Sequence, residues 1–271
     1  MLVQIKKVYK SYHKAGGFFS KGKVDVLNGI DFSIKEGECV GLIGESGSGK
    51  STLSRIILGL EKANQGTIKI DGEPIAKWIK KNQGKMSVVF QDYTSSVNPY
   101  FNIKSIIAEP LIAIGDKENL DQRIIELLDK VGLPQSMIYK YPHELSGGQL
   151  QRVCIARAIS THPKFVVLDE AISSLDVSVQ SQILELLHKL KHEMNMTYLF
   201  VAHDLQAVCN MCDRIFFLYK GQIVEELARH EIAHAKNEYS QRLLDSVIPL
   251  NVNQKINETV LGHNHNVVAF T

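Results

Sequence analysis

Residues 44–52 read Gly-Glu-Ser-Gly-Ser-Gly-Lys-Ser-Thr. Gly44, Gly49, Lys50 and Ser51 fill a G-x-x-x-x-G-K-[ST] spacing, and the chemistry of that spacing is anion binding. Glycines leave the loop amides unshielded, so the backbone N–H groups from Glu45, Ser46, Gly47 and Ser48 onward to Thr52 can cradle phosphates, while the lysine reaches the β- and γ-phosphates and the Ser51 hydroxyl binds Mg²⁺. The flanks fit. Cys39-Val40-Gly41-Leu42-Ile43 is a short apolar run suited to a buried strand, and Leu53, Ile56, Ile57 and Leu60 follow at the spacing of a half-buried helix whose positive end faces the loop.

A second constellation lies further on, where Phe165-Val166-Val167-Leu168 runs into Asp169-Glu170. An apolar strand ending in two carboxylates places them where open α/β sheets bind ligands, beyond the C-terminal ends of the strands. Transfer of a phosphoryl group to water needs charge neutralisation, an oriented water and a proton acceptor. Lys50 would hold phosphate, Ser51 and Asp169 would hold Mg²⁺ (Asp169 through water), and Glu170, one residue beyond the metal, can polarise the attacking water. Gln91 and His203 each close another apolar run. Either residue taken alone could as well be a surface or core group. Leu145-Ser146-Gly147-Gly148-Gln149, leading into a helix expected over 150–160, offers a hydroxyl and unshielded amides, a second helix start suited to an anion. With one loop of each kind per chain, the two need not share a site within one subunit.

The elements that must position these residues alternate β-α-β: strands at 86–90, 165–168, 198–202 and 215–219, and a helix from 179 to about 192, which imply a mostly parallel sheet covered on both faces. Residues 2–12, 24–34 and 67–70 read instead as short antiparallel strands. Between the first two lies an irregular insertion with Phe18-Phe19, expected to fold back on the sheet. Turn formers at 94–99 and helical spacing at Ile124, Ile125, Leu128 and Val131 predict an inserted helical subdomain over about 92–150 of a domain spanning 1–250. Residues 251–271 are polar and weakly patterned, a tail.

The chain has 271 residues and 44% hydrophobic composition, enough for a core. Its 31 Lys and Arg against 29 Asp and Glu leave a net charge of +2 without a basic block, so no nucleic-acid partner is expected. No run approaches the roughly 18 apolar residues of a membrane span, and the start has no secretory pattern, so a cytosolic protein that meets a membrane only through partners is expected. Cys39, Cys154, Cys209 and Cys212 are few and scattered, and reduced thiols are expected. Cys209 and Cys212 fall in a helical stretch with no second pair. His230 with His234, and His263 with His265, read as solvated groups rather than metal ligands.

Taken in order, these motifs resemble those of the nucleotide-binding subunits of ATP-binding-cassette (ABC) transporters over residues 1 to about 250. The resemblance implies an α/β P-loop NTPase fold of the ABC ATPase type, with a RecA-like parallel-sheet core, an N-terminal antiparallel β subdomain and the inserted helical subdomain. It implies that Tyr12 stacks on adenine, that Gln91 is the Q-loop glutamine and binds Mg²⁺, that Leu145 to Gln149 are the signature and Asp176 belongs to the D-loop. His203 becomes the switch histidine and Glu170 the catalytic base, with ATP and Mg²⁺ as substrate and cofactor. Such subunits work as head-to-tail dimers, each ATP held between one subunit's phosphate loop and the other's signature.

More narrowly, Phe90-Gln91-Asp92, Ser96-Val97-Asn98-Pro99, Glu109-Pro110-Leu111, Tyr141-Pro142-His143-Glu144, residues 175–180 and Tyr239-Ser240 through Leu243-Leu244 are similar to the ATPases of peptide and nickel importers, and to those of staphylococcal opine-type metal-chelate importers. That implies a peripheral subunit on the cytoplasmic face of the cell membrane, a sister ATPase in a heterodimer, two membrane permeases and, indirectly, an extracellular solute-binding protein. A soluble cassette acting outside transport and a weakly hydrolysing regulatory partner are the alternatives. Ala171-Ile172-Ser173-Ser174 depart from the usual Pro-Thr-Ser-Ala, a change expected to loosen the D-loop, and Tyr93 stands where many relatives have proline.

Overall fold

A computed structural model describes residues 1–13 and 22–247. The expected Phe18-Phe19 contact, the 251–271 tail and the His263/His265 pair lie outside the described residues. The chain runs β1 (Val3–His13), β2 (Lys23–Ile34), β3 (Cys39–Ile43), α1 (Lys50–Ile57), β4 (Gln65–Ile70), β5 (Glu73–Pro74), α2 (Ile75–Lys81) and β6 (Met86–Val89). It continues through α3 (Ile103–Ala113), α4 (Leu120–Lys130), α5 (Gly147–Ile159), β7 (Phe165–Asp169), α6 (Val177–Glu193), β8 (Thr197–Ala202), α7 (Leu205–Met211), β9 (Arg214–Tyr219), β10 (Gln222–Ala228) and α8 (Glu238–Val247).

Two sheets form. The first, β2-β1-β4-β5, is antiparallel, and the second, β10-β9-β3-β8-β7-β6, is parallel except for β10 at its edge. This is the α/β architecture expected from the alternating pattern. The antiparallel strands fall within two residues of the expected spans, with shifts of register between β1 and β2 and a left-handed Lys7 (φ 47°) interrupting their alternation.

The period of two along each strand divides the core. Tyr198, Phe200 and Ala202 of β8, with Val166 and Leu168 of β7, face the layer containing α3 to α7, while Leu199 and Val201, with Phe165 and Val167, face α1 and the antiparallel sheet. Helix α1 is thereby enclosed between the two sheets, burying Leu53, Ile56 and Ile57. It ends earlier than its apolar spacing suggests. Gly59 at φ 71° lets the Leu60 amide reach back to the Arg55 carbonyl (2.9 Å), which closes the helix and turns Leu60 out, 66% exposed.

Helix α5 begins earlier than expected, at Gly147. Ser146 and Gln149 cap each other: the Ser146 Oγ accepts from the Gln149 amide at 3.3 Å and the Gln149 Oε1 from the Ser146 amide at 3.0 Å, which offsets the poor helix propensity of two glycines. The cysteines are free as expected, but not scattered in space: Cys212, just past α7, lies with its Sγ 3.4 Å from that of Cys39 in the buried core.

Arg214, at the start of β9, ties the sheets together. Its guanidinium donates to both carboxylate oxygens of Glu38 (2.5 and 3.0 Å), to the Ser33 carbonyl of β2 (2.7 Å) and to Glu226 of β10. Glu38 is only 9% exposed. Removing the cation strands that carboxylate, so Arg214→Ala is expected to cost about 3 kcal/mol. In a domain of this size that lowers the thermal midpoint of nucleotide-free protein by about 6–12 °C. A melting curve unchanged from the parent would show that the clamp contributes nothing.

Candidate functional site

The site sits at the C-terminal ends of β3, β7 and β8. The turn from β3 into α1 holds Gly47 at φ 79° and Gly49 at φ 110°, conformations open to glycine; a Cβ on Gly49 would also stand 2.7 Å from Leu27. A Cβ on Gly44 would meet the Leu218 carbonyl at 2.3 Å, so the loop rests directly on β9. A Cβ on Gly47 would meet nothing within 4 Å, which marks the open side of the cradle. Helix α1 has no side-chain cap and no acidic residue in its first turn, so its N–H groups remain available to an anion. Ser51 is exposed at that end and Thr52 half-buried, whereas Ser48 is buried, its Oγ with no protein partner.

Lys50 is 5% exposed. Its Nζ donates to the carbonyls of Gly44 (2.6 Å) and Glu45 (3.0 Å) and lies 3.9 Å from a Glu170 carboxylate oxygen. Burial pushes its pKa down, against the pull of Glu170 and Asp169. The other Glu170 oxygen is 3.7 Å from Nδ1 of His203, which stands exposed at the end of β8. Asp169 is the last residue of β7. Its Oδ1 is buried without a protein hydrogen bond, and burial first, then the charge of Glu170, pushes its carboxyl pKa up. A buried acceptor with no donor suits a cation and its water. The donor set of Asp169 and Ser51 thus fits Mg²⁺, and the free amides with Lys50 fit its phosphate counterpart. Among the described residues no group of three or more His, Cys, Asp or Glu side chains gathers as a metal cluster.

Glu170 adopts φ 49°, unusual for a residue with a side chain. The surroundings hold it there: its amide donates to the Val201 carbonyl (2.8 Å), and its carbonyl accepts from the Ser173 amide (3.1 Å) and hydroxyl (3.0 Å). The segment that departs from the usual pattern is therefore tied at several points. Gln151 Nε2 donates to the Ala171 carbonyl at 2.6 Å, and the Ser174 hydroxyl reaches the Gln91 carbonyl at 3.4 Å. Ala171 and Ile172 are buried. Gln91 itself is exposed just past β6.

Other expected residues stand elsewhere. Helix α5, with Gly147, Gly148 and Gln149 in its first turn and Leu145 and Ser146 before it, packs with α3, α4, α6 and β6, whereas α1 packs with β2, β7 and β8. The signature and the phosphate loop thus belong to different layers. A Cβ on Gly147 would meet the Tyr93 hydroxyl at 2.6 Å and one on Gly148 would meet Val179 at 2.8 Å, so a side chain at either position would displace a neighbour. Tyr93 lies against the signature helix, a contact that its sequence neighbours do not reveal. Asp176 caps α6, accepting from the Val179 amide (2.9 Å) and the Ser178 hydroxyl (2.8 Å), bonds that hold its carboxyl pKa low. Tyr12, at the end of β1, donates to Glu61 (2.8 Å), which also pairs with Lys10 (2.8 Å).

Tyr239 of α8 is a site residue that motif reading missed. Its hydroxyl accepts from the Glu45 amide of the phosphate loop at 2.9 Å. The only signal for it in sequence was its place in the Tyr239-Ser240 similarity.

Known proteins resemble this chain in sequence and in fold. The family model described as "ABC transporter" matches residues 27–173. The chain is 40% identical over 246 residues to the metal-staphylopine import system ATP-binding protein CntF of Staphylococcus aureus, covering 90% of this chain and 98% of that protein. It is 42% identical to the oligopeptide transport ATP-binding protein OppF of Streptococcus mutans, over 91% of this chain and 81% of that one. Among solved structures, the post-hydrolysis dimer of the ATP-binding cassette MJ0796 bound to ADP and Pi superposes with a TM-score of 0.73 at 31% identity, over 84% of this chain and 99% of that one.

Without a hydrogen-bond donor, a charged Asp169 costs stability at neutral pH in nucleotide-free protein. A carboxyl whose folded pKa is raised stabilises the fold below its unfolded pKa and loses that contribution as pH rises through the folded value. In nucleotide-free, EDTA-treated protein, Asp169→Asn should therefore melt higher than the parent at pH 7. The difference should shrink as the pH falls and Asp169 takes up its proton. The same variant should lose Mg²⁺-dependent nucleotide binding. A variant that melts lower than the parent at pH 7 would show that the carboxylate is satisfied in the fold.

Proposed function

The chain belongs to the ABC transporter family of ATP-binding subunits, and from that premise we propose that it is the ATP-hydrolysing subunit of an importer for a small solute, a peptide, nickel or cobalt, or a metal chelate. The observation that carries the reading is the convergence of Lys50, Asp169, Glu170 and His203 at one end of the parallel sheet, beside the uncapped N-terminus of α1. The loop and Lys50 hold the β- and γ-phosphates; Ser51, Gln91 and Asp169 hold Mg²⁺, Asp169 through water; Tyr12 stacks on adenine. Mg²⁺, when bound, neutralises charge on the phosphates. Glu170 accepts a proton from the attacking water, its carboxylate held in line by the backbone bonds at its strained φ and flanked by Lys50 and His203. His203 faces the γ-phosphate.

The separation of signature and phosphate loop into different layers supports a head-to-tail dimer, in which Leu145 to Gln149 of one subunit and Asp176 beside them complete the site of the other. The partner is a sister ATPase more readily than a second copy, as in importers that carry two such subunits. For the membrane permeases the fold offers an apolar surface. An open cleft of about 400 Å³ is lined by Leu58, Leu60, Ile79, Met86, Val88 and Ile114, and Tyr100 and Tyr139 are 87% and 70% exposed on the helical layer. No helix among the described residues is long and apolar enough to cross a membrane. Translocation falls in this reading to the permeases, which the chain meets at the cytoplasmic face. The solute-binding protein outside the cell selects the cargo.

Trapping the tagged chain with Mg-ATP and vanadate in its native cell tests the reading. Two permeases and a sister ATPase should co-purify from membranes; recovery with ribosomes or DNA would overturn it. For the chemistry, Glu170→Gln should keep Mg-ATP binding and lower turnover of the assembled complex by at least about 100-fold. Turnover within about twofold of the parent removes Glu170 from the role of base.

A further inference from the structure

The Gly44–Glu45 peptide is gripped from both sides. Its carbonyl, on Gly44, accepts from Lys50 Nζ at 2.6 Å, and its N–H, on Glu45, donates to the Tyr239 hydroxyl at 2.9 Å, a contact between residues 194 positions apart. A peptide unit is planar, so fixing its N–H fixes the direction of its carbonyl. The direction of that carbonyl in turn places the shorter of the two backbone bonds that hold the lysine ammonium, the other going to the Glu45 carbonyl at 3.0 Å.

Tyr239 is built to hold this position. It is 4% exposed, and its ring stacks on Tyr219, the last residue of β9, with centroids 4.3 Å apart. The turn after Tyr219 supports the loop a second time, through the Gly221 amide and the Ser48 carbonyl (3.1 Å). The start of α8 is anchored too: Asn237 Oδ1 accepts from the Tyr239 amide (2.9 Å), and Glu225 of β10 accepts from the amides of Lys236 (2.7 Å) and Asn237 (3.3 Å). Burial pushes the phenol pKa up, so the hydroxyl meets the Glu45 amide as a neutral group.

Resting on the reading of this loop as an ATP site, we infer that Tyr239 is a positioning residue for nucleotide binding: through the Gly44–Glu45 peptide it sets the rest position of Lys50. The loop then receives phosphate without reorienting that peptide. It also makes α8, far from the loop in sequence, part of the nucleotide site.

The test uses the full-length chain and equilibrium binding of Mg-ADP and Mg-ATP. Tyr239→Phe keeps the ring and the stack on Tyr219 and removes only the acceptor. Its nucleotide affinity should fall by about five- to tenfold, the worth of one hydrogen bond. The same change made in a Lys50→Ala background should have an effect of less than about twofold, because the lysine through which it acts is gone. Equal affinity of Tyr239→Phe and parent overturns the inference, as does an equal loss with and without Lys50, which would make Tyr239 a general support of the loop. Should the parent itself fail to bind nucleotide while remaining folded by its melting transition, the ATP reading falls and this inference with it.

Discussion

The site depends on keeping one ammonium almost dry. Lys50 has exchanged water for two backbone carbonyls and a nearby carboxylate, and burial alone would favour its neutral form. Such a group is costly in an empty protein and valuable when a polyphosphate arrives, because the charge is already desolvated and aimed. Much of the surrounding architecture serves this arrangement. Strand β3 is buried along its whole length, so the loop that follows it springs from a rigid base, and α1 is enclosed between two sheets, so its N-terminus cannot swing away.

The same logic extends to the carboxylates. Asp169 and Glu170 are consecutive, yet the fold treats them differently: one ends β7 with a buried oxygen that no donor satisfies, the other turns into a left-handed conformation that delivers its side chain between Lys50 and His203. Backbone strain of this kind costs on the order of 1–3 kcal/mol and persists only where neighbours over-determine it. Here the Val201 carbonyl and Ser173 do so. Residues 171–174, which lack the proline and threonine usual in relatives, are held by side-chain bonds from Gln151, Ser173 and Ser174 that a motif comparison does not count.

The helical layer has anchors of its own. The helix that starts at the signature belongs to the helical layer and is anchored there by Arg157, whose guanidinium donates to the Ser96 carbonyl at 2.6 Å, and by the packing of Tyr93 on Gly147. Those contacts connect the segment after Gln91 to the signature helix.

Sequence by itself determined the fold class, because it rests on local rules: a strand, a glycine-rich turn and an amphipathic helix in succession leave few alternatives, and Lys50, Ser51, Asp169 and Glu170 are residue types suited to the phosphate and cation chemistry proposed for the loop. It also marked Gln91 and His203 as the ends of apolar runs. Where it erred, the cause was local as well. Leu60 kept the helical spacing while Gly59 had already ended the helix, and the two glycines after Ser146 concealed a capped helix start. Tertiary structure alone decided the rest. That Asp169 lacks a donor, that Glu170 is strained, that Cys39 meets Cys212 and that Tyr239 reaches the Glu45 amide are all consequences of contacts between distant segments, and the free energy of such contacts has no periodicity along the chain from which it could be read.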